Sequence, residues 1–149
     1  MPQRELNLQT INDVLAEIDH LQKTGCTPTG NWDFTQVCNH LAYFAEGSLD
    51  GYQFKVPWIF KKLFGRRVLN RIMTQRKMKT GVFTPQRPLP APGQDAAAAA
   101  DRLRKALIRV RDHRGEFCAS PFFGEMTPDQ VRDLAVIHSA HHLAFLQPK

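Results

Sequence analysis

The chain has 149 residues, 42% of them hydrophobic, with three cysteines and a formal net charge of +6. That length suits one domain, residues 1–149, with room for a real core, and the apolar share is that of an ordinary soluble protein. No apolar run approaches the roughly 20 residues of a membrane-spanning helix, and an odd cysteine count without C-x-x-C speaks against a disulfide scaffold.

The segment Met1-Pro2-Gln3-Arg4-Glu5 has neither the basic start nor the apolar core of a signal peptide, so a cytoplasmic location is expected. Cys26, Cys38 and Cys118 are expected to be inert buried thiols in a reducing compartment. The positive charge is local: Lys55, Lys61, Lys62, Arg66, Arg67, Arg71, Arg76, Lys77 and Lys79 follow one another with no Asp or Glu among them. Any electrostatic argument belongs to that stretch.

In chain order, Ile11, Val14, Leu15, Ile18 and Leu21 keep helical apolar spacing and predict a first helix from about Thr10 to Lys23, ended by Thr24-Gly25. Asp33 and Gln36 form a capping box that opens a second helix, which runs to about Leu49 and stops at Asp50-Gly51. Trp32, just before the cap, is placed to staple onto Val37 or a neighbour. Pro57 opens a third, amphipathic stretch from Trp58 to Met73, with aromatic and aliphatic residues against a basic side. Thr80 to Gly93 carries four prolines and cannot be regular structure, so it reads as a long strap crossing the fold. A helix from about Gln94 to Glu116 follows, with Leu103, Ala106, Leu107 and Val110 as its stripe. After the loop Cys118 to Gly124, Thr127-Pro128-Asp129-Gln130 supplies a cap, a first-turn proline and a capping box for a last helix. No convincing strand or internal repeat is visible. Helices of this number and length predict an all-α helical bundle.

The chemistry gathers on histidines. On the last helix, Val131, Leu134, Ala135, His138, His142 and Phe145 share one stripe. Two imidazoles at i, i+4 on a core-facing stripe are costly to bury unless their nitrogens are paired, and a metal ion suits that spacing. His40 on the second helix lies at the edge of the face made by Phe34, Val37, Leu41 and Phe44, and bundles build metal sites from such facing helices. Three neutral imidazoles from His40, His138 and His142 suit Zn, Ni or Fe and leave positions open for water or substrate. Ser139 stands where H-E-x-x-H has its Glu, which disfavours a zinc protease. The alternative is that the histidines only pack at the end of the helices. Cys38 is about 200° round the helix from His40 and is not expected at its site. Tyr43 and Glu46 follow His40 closely enough to reach the same end.

The segment Gly30-Asn31-Trp32-Asp33, followed by Cys38-Asn39-His40-Leu41-Ala42, resembles the start of the second helix in the DinB/YfiT-like bundle superfamily. The Phe122-Phe123-Gly124 loop with the terminal His138-x-x-His141-His142-Leu143 helix resembles its branch known only as domain of unknown function number fifteen sixty-nine. The resemblance implies a DinB-like four-helix bundle with a long Pro-rich crossover, often dimeric, with a metal triad on His40, His138 and His142. It also implies metal-dependent chemistry of the kind better-known relatives perform, which transfer or isomerise with small thiols. His141 beside the expected ligand leaves a second register open, His138 with His141.

Two functional readings follow. In the first, the chain is a metal-dependent enzyme, a thiol S-transferase or a hydrolase. Its substrate is a small molecule, anionic or thiol-bearing, drawn in by the basic stretch. In the second, it is a non-catalytic binding protein whose stretch Lys55 to Lys79, with Trp58, Phe60 and Phe64 between cations, lies on anionic lipid or clamps nucleic acid. A third, blander reading is a homodimeric relative that holds no metal.

Overall fold

The computed structural model describes residues 2–79 and 95–149. The strap read at Thr80 to Gly93 therefore lies outside the described residues. Helix α1 (Ile11–Thr24) starts as its residues dictate. The Thr10 hydroxyl accepts from the Asp13 amide, and the Asp13 carboxylate accepts from the Thr10 amide. Its buried residues, Ile11, Val14, Ile18 and Leu21, form one stripe. Helix α2 (Phe34–Asp50) opens on the reciprocal Asp33–Gln36 box and ends at Gly51, whose φ of 94° suits a residue without a Cβ. Helix α5 (Ala96–Asp112) is capped by the Asp95 carboxylate and buries Ala99, Ala100, Leu103, Ala106, Leu107 and Val110. Helix α6 (Pro128–Leu143) opens on the Thr127–Gln130 box with Pro128 in its first turn.

These four helices pack on one another around a common apolar core. The most extensive contact is α2 on α5, and both helices bury small residues, Ala42 and Ala45 on α2 and Ala99, Ala100 and Ala106 on α5. Ion pairs border that core: Arg102 grips Glu46 with two bonds of 2.8 Å, and Arg109 holds Asp50 at 2.8 and 3.0 Å. Exposed pairs of this kind are each worth about 0–1 kcal/mol, so the apolar core carries the fold.

Between α2 and α5 lies a separate helical arm. It begins as α3 (Trp58–Phe60), passes through a π-helical turn at Lys61–Gly65 and continues as α4 (Arg66–Gln75). A regular amphipathic helix was the expectation for Trp58 to Met73. The arm instead contains the π turn, and of its residues Gly65, Leu69 and Ile72 are buried while Trp58, Ile59, Phe60, Leu63 and Phe64 are exposed.

Three expectations are corrected. Two short strands exist, β1 (Cys26–Pro28) and β2 (Leu146–Pro148), paired antiparallel with Cys26 opposite Pro148 and Pro28 opposite Leu146. Three-residue strands with a proline each give no period-2 signal, so nothing local announces them. Helix α5 stops at Asp112 rather than near Glu116, because His113 turns to extended backbone and Gly115 takes a φ of 104°. Of the thiols, only Cys38 is fully buried; Cys26 is half-buried and Cys118 is exposed, with its Sγ 3.5 Å from the Leu49 carbonyl oxygen. Among the described residues, no helix is long and apolar enough to cross a membrane.

Candidate metal centre

His40 comes from the middle of α2 and His138 and His142 from successive turns of α6, two helices in direct contact. Their ligand-capable nitrogens all lie within 4.8 Å of one another. The Nε2 atoms of His40 and His138 are 3.0 Å apart. His40 is buried and the other two are half-buried. Two ligands at the usual zinc–imidazole distance around a tetrahedral ion stand roughly 3.4 Å from each other. The three histidines are thus close enough to bind one ion, and imidazole is the donor type that Zn, Ni and Fe accept.

Aromatic rings fix the three imidazoles. Trp32 stacks on His142 with centroids 5.4 Å apart and planes 17° apart, and its ring also leans on His40 at 4.7 Å. Phe44 sets its edge against His40 and His138 at 5.0 and 5.2 Å. The Asp33–Gln36 capping box immediately follows Trp32 and holds the chain entering α2. Trp32 therefore belongs to the histidine cluster, and it also packs against the core that includes Val37. The sequence placed it next to the right cap, but its stacking partner His142 is on a helix about a hundred residues away.

His141 stands beside the cluster and not in it. Its ring packs on His142 at 4.9 Å and on Phe145 at 5.8 Å, and burial lowers its pKa below the ordinary imidazole range. Tyr43 and Glu46 point elsewhere: Tyr43 accepts from the Gln53 amide at 3.3 Å and Glu46 is taken up by Arg102. Cys38 lies in the core, and burial pushes its thiol up to about 12.

Two of the three histidines, His138 and His142, line a pocket of about 650 Å³ between α2, the helical arm, α6 and the 120–124 loop, whereas buried His40 does not line it. The stripe Val131, Leu134, Ala135, His138 and His142, expected to face the core, lines this pocket and is mostly half-buried. The fully buried positions of α6 include Val136, Ile137, Ser139 and Leu143. Opposite stands Phe122, held by a tight loop in which Ser120 and Gly124 exchange backbone bonds of 2.8 and 2.9 Å. The Ser120 hydroxyl also accepts from the amides of Phe122 and Phe123, at 3.2 Å each. The Phe-Phe-Gly motif is visible in the sequence; its role as a pocket wall is not.

No curated protein and no solved structure matches the chain. A family described as a protein of unknown function (DUF1569) matches it over residues 1–149. The chain accordingly belongs to the DUF1569 family.

Proposed function

We propose that this chain is a DinB-like four-helix bundle that binds one divalent metal ion, Zn, Ni or Fe, and acts on a small molecule as a metal-dependent transferase or hydrolase. The observation that carries the reading is the convergence of three imidazoles from two helices, two of them lining an open pocket. A structural site would be closed by four protein ligands; here three histidines meet, and His138 and His142 are open to the pocket. His40, His138 and His142 would hold the ion, which when bound supplies Lewis acidity to a substrate thiol, carbonyl or water. The chain's own residues set the conditions. Trp32 and Phe44 fix the ring planes, and Phe44 and Phe122 keep bulk water away. Half-buried His141 is a further titratable group beside them, its ring 4.9 Å from that of His142.

Elemental analysis of untagged, chelator-free protein tests the reading directly. About one Zn, Ni or Fe per chain is expected, lost in His142→Ala and unaffected by His141→Ala. Protein that holds none of these ions, even after incubation with each, would remove the catalytic reading.

A second reading draws on a different observation. Trp58, Ile59 and Leu63 are exposed, lie outside the pocket and alternate with Lys62, Arg66 and Arg67. Lys62 holds its Nζ 5.5 Å from the Trp58 ring centre. That outer face has the composition of a helix lying on anionic lipid. Co-sedimentation with phosphatidylglycerol vesicles, weakened by added salt and by Trp58→Ser, is the expected outcome if the face serves that purpose.

A further inference from the structure

The pocket is long for three ligands and a water, and its lining is one-sided in both polarity and charge. Phe44, Phe60, Phe64, Phe122, Met126 and Val131 give it an apolar wall. Phe60 and Phe64 are 55% and 54% exposed although they face into this concavity, so a large apolar area stands ready to be covered. Among the described residues, the charged ones that line it are Lys61, Arg71, Lys77 and Lys79, with no Asp or Glu. His138 and His142 line the pocket and are half-buried, whereas Arg71, Lys77 and Lys79 are exposed.

We propose that the pocket takes an amphipathic anion: an extended apolar body with one anionic headgroup. The body lies on the phenylalanines, the headgroup is met at the cationic rim by exposed Arg71, and the far end reaches His138 and His142. This rests on the proposed function and names its substrate class. The charge pattern selects among occupants. A cationic or zwitterionic amphiphile would bring positive charge to a rim with no carboxylate to meet it. A second copy of this chain placed symmetrically on the same face would set lysines and arginines against their own kind. An anionic amphiphile pairs the rim and covers Phe60 and Phe64 together.

The test is calorimetric titration of the metal-free chain with dodecanoate below its micelle concentration, beside dodecyltrimethylammonium. One dodecanoate per chain is expected, bound at least about tenfold more tightly than the cation. Arg71→Gln should weaken dodecanoate about fivefold without changing the affinity for the cation. Phe64→Ser should weaken both amphiphiles about tenfold. Both residues are exposed, and circular dichroism of each variant confirms the fold. Equal affinity for the two amphiphiles would overturn the proposal. So would binding of phosphatidylglycerol vesicles without binding of monomeric dodecanoate, or a salt-stable dimer that leaves the pocket closed to both. Because the titration contains no metal, it separates the two readings. Metal uptake without dodecanoate binding removes only the substrate class, and dodecanoate binding without metal uptake removes only the metal-dependent reaction.

Discussion

Cys38 and His40 sit two positions apart on α2 and meet opposite environments. Cys38 points into the core with no measurable exposure, and burial raises its pKa from 9.0 to about 12. The folded thiol therefore keeps its proton where the unfolded one loses it. Above pH 9 the unfolded chain binds fewer protons, so folding stability falls as pH rises, by about 1.4 kcal/mol per pH unit until the folded thiol also ionises near 12. Urea denaturation at pH 8 and pH 10.5 should show that loss, and it should be smaller in Cys38→Ala, which lowers stability at both pH values but removes the titrating group. An identical alkaline loss in the variant would assign it to other groups. At the same scale, His138 and His142 are legible in sequence because i, i+4 spacing is a property of one helix, and His40 because an imidazole on a partly apolar face asks for a partner. Trp32 stacking on His142 is not legible. It depends on how two helices distant in sequence lie against each other, and no local period encodes that.

Among elements, the helical arm shows most clearly what local rules leave out. Its basic and aromatic residues announce an amphipathic helix, but the face it buries is decided by Gly65. A Cβ there would come within 2.6 Å of the Phe122 carbonyl oxygen. That atom is backbone, fixed in the Ser120–Gly124 loop, and cannot step aside cheaply. Two effects of Gly65→Ala therefore compete. Replacing a helical glycine by alanine gains about 1 kcal/mol of propensity, whereas overpacking against fixed backbone costs about 1–3 kcal/mol. The clash wins, and the variant should be less stable by about 1 kcal/mol. It should also bind dodecanoate more weakly, because the arm and Phe122 must separate. Thermal denaturation and the titration above read the two effects; a more stable variant would show that the arm moves freely. The caps of α2 and α6 and the stripes of α1 and α5 are legible in sequence because each is settled within one turn or one face. The pocket is assembled from three elements and a loop, and is visible only once they are packed.

At the scale of the whole molecule, the chain ends hold the histidine-bearing helix in place. Beyond α6, β2 lies along β1, and bonds flank that pair: the Thr29 amide to the Phe145 carbonyl at 2.7 Å, Lys149 to Gly25 at 3.1 Å and Arg4 to Ala144 at 3.0 Å. Arg4 also pairs with Glu17 of α1. The β1 segment joins α1 to α2, so this clamp ties the α1–α2 connection to the end of α6, immediately after His142. Leu146 is its apolar anchor, fully buried in the common core. Leu146→Ala should cost about 2–5 kcal/mol, a large share of the 5–15 kcal/mol typical of a domain. If the clamp and the helical core form one cooperative unit, far-ultraviolet circular dichroism and Trp32 fluorescence, read in a Trp58→Phe background, should lose their signals at the same, lowered denaturant concentration. Trp32 reports the cluster because its ring lies on His40 and His142. A Trp32 transition that precedes the loss of helix would mean that the end of α6 opens by itself. The histidines would then be brought together by a local equilibrium, and ion affinity would fall with the closed fraction. Coincident transitions are the expected result, because Leu146 shares its core with Val14, Ile18 and Leu143, and removing one contact from a continuous core lowers the whole of it.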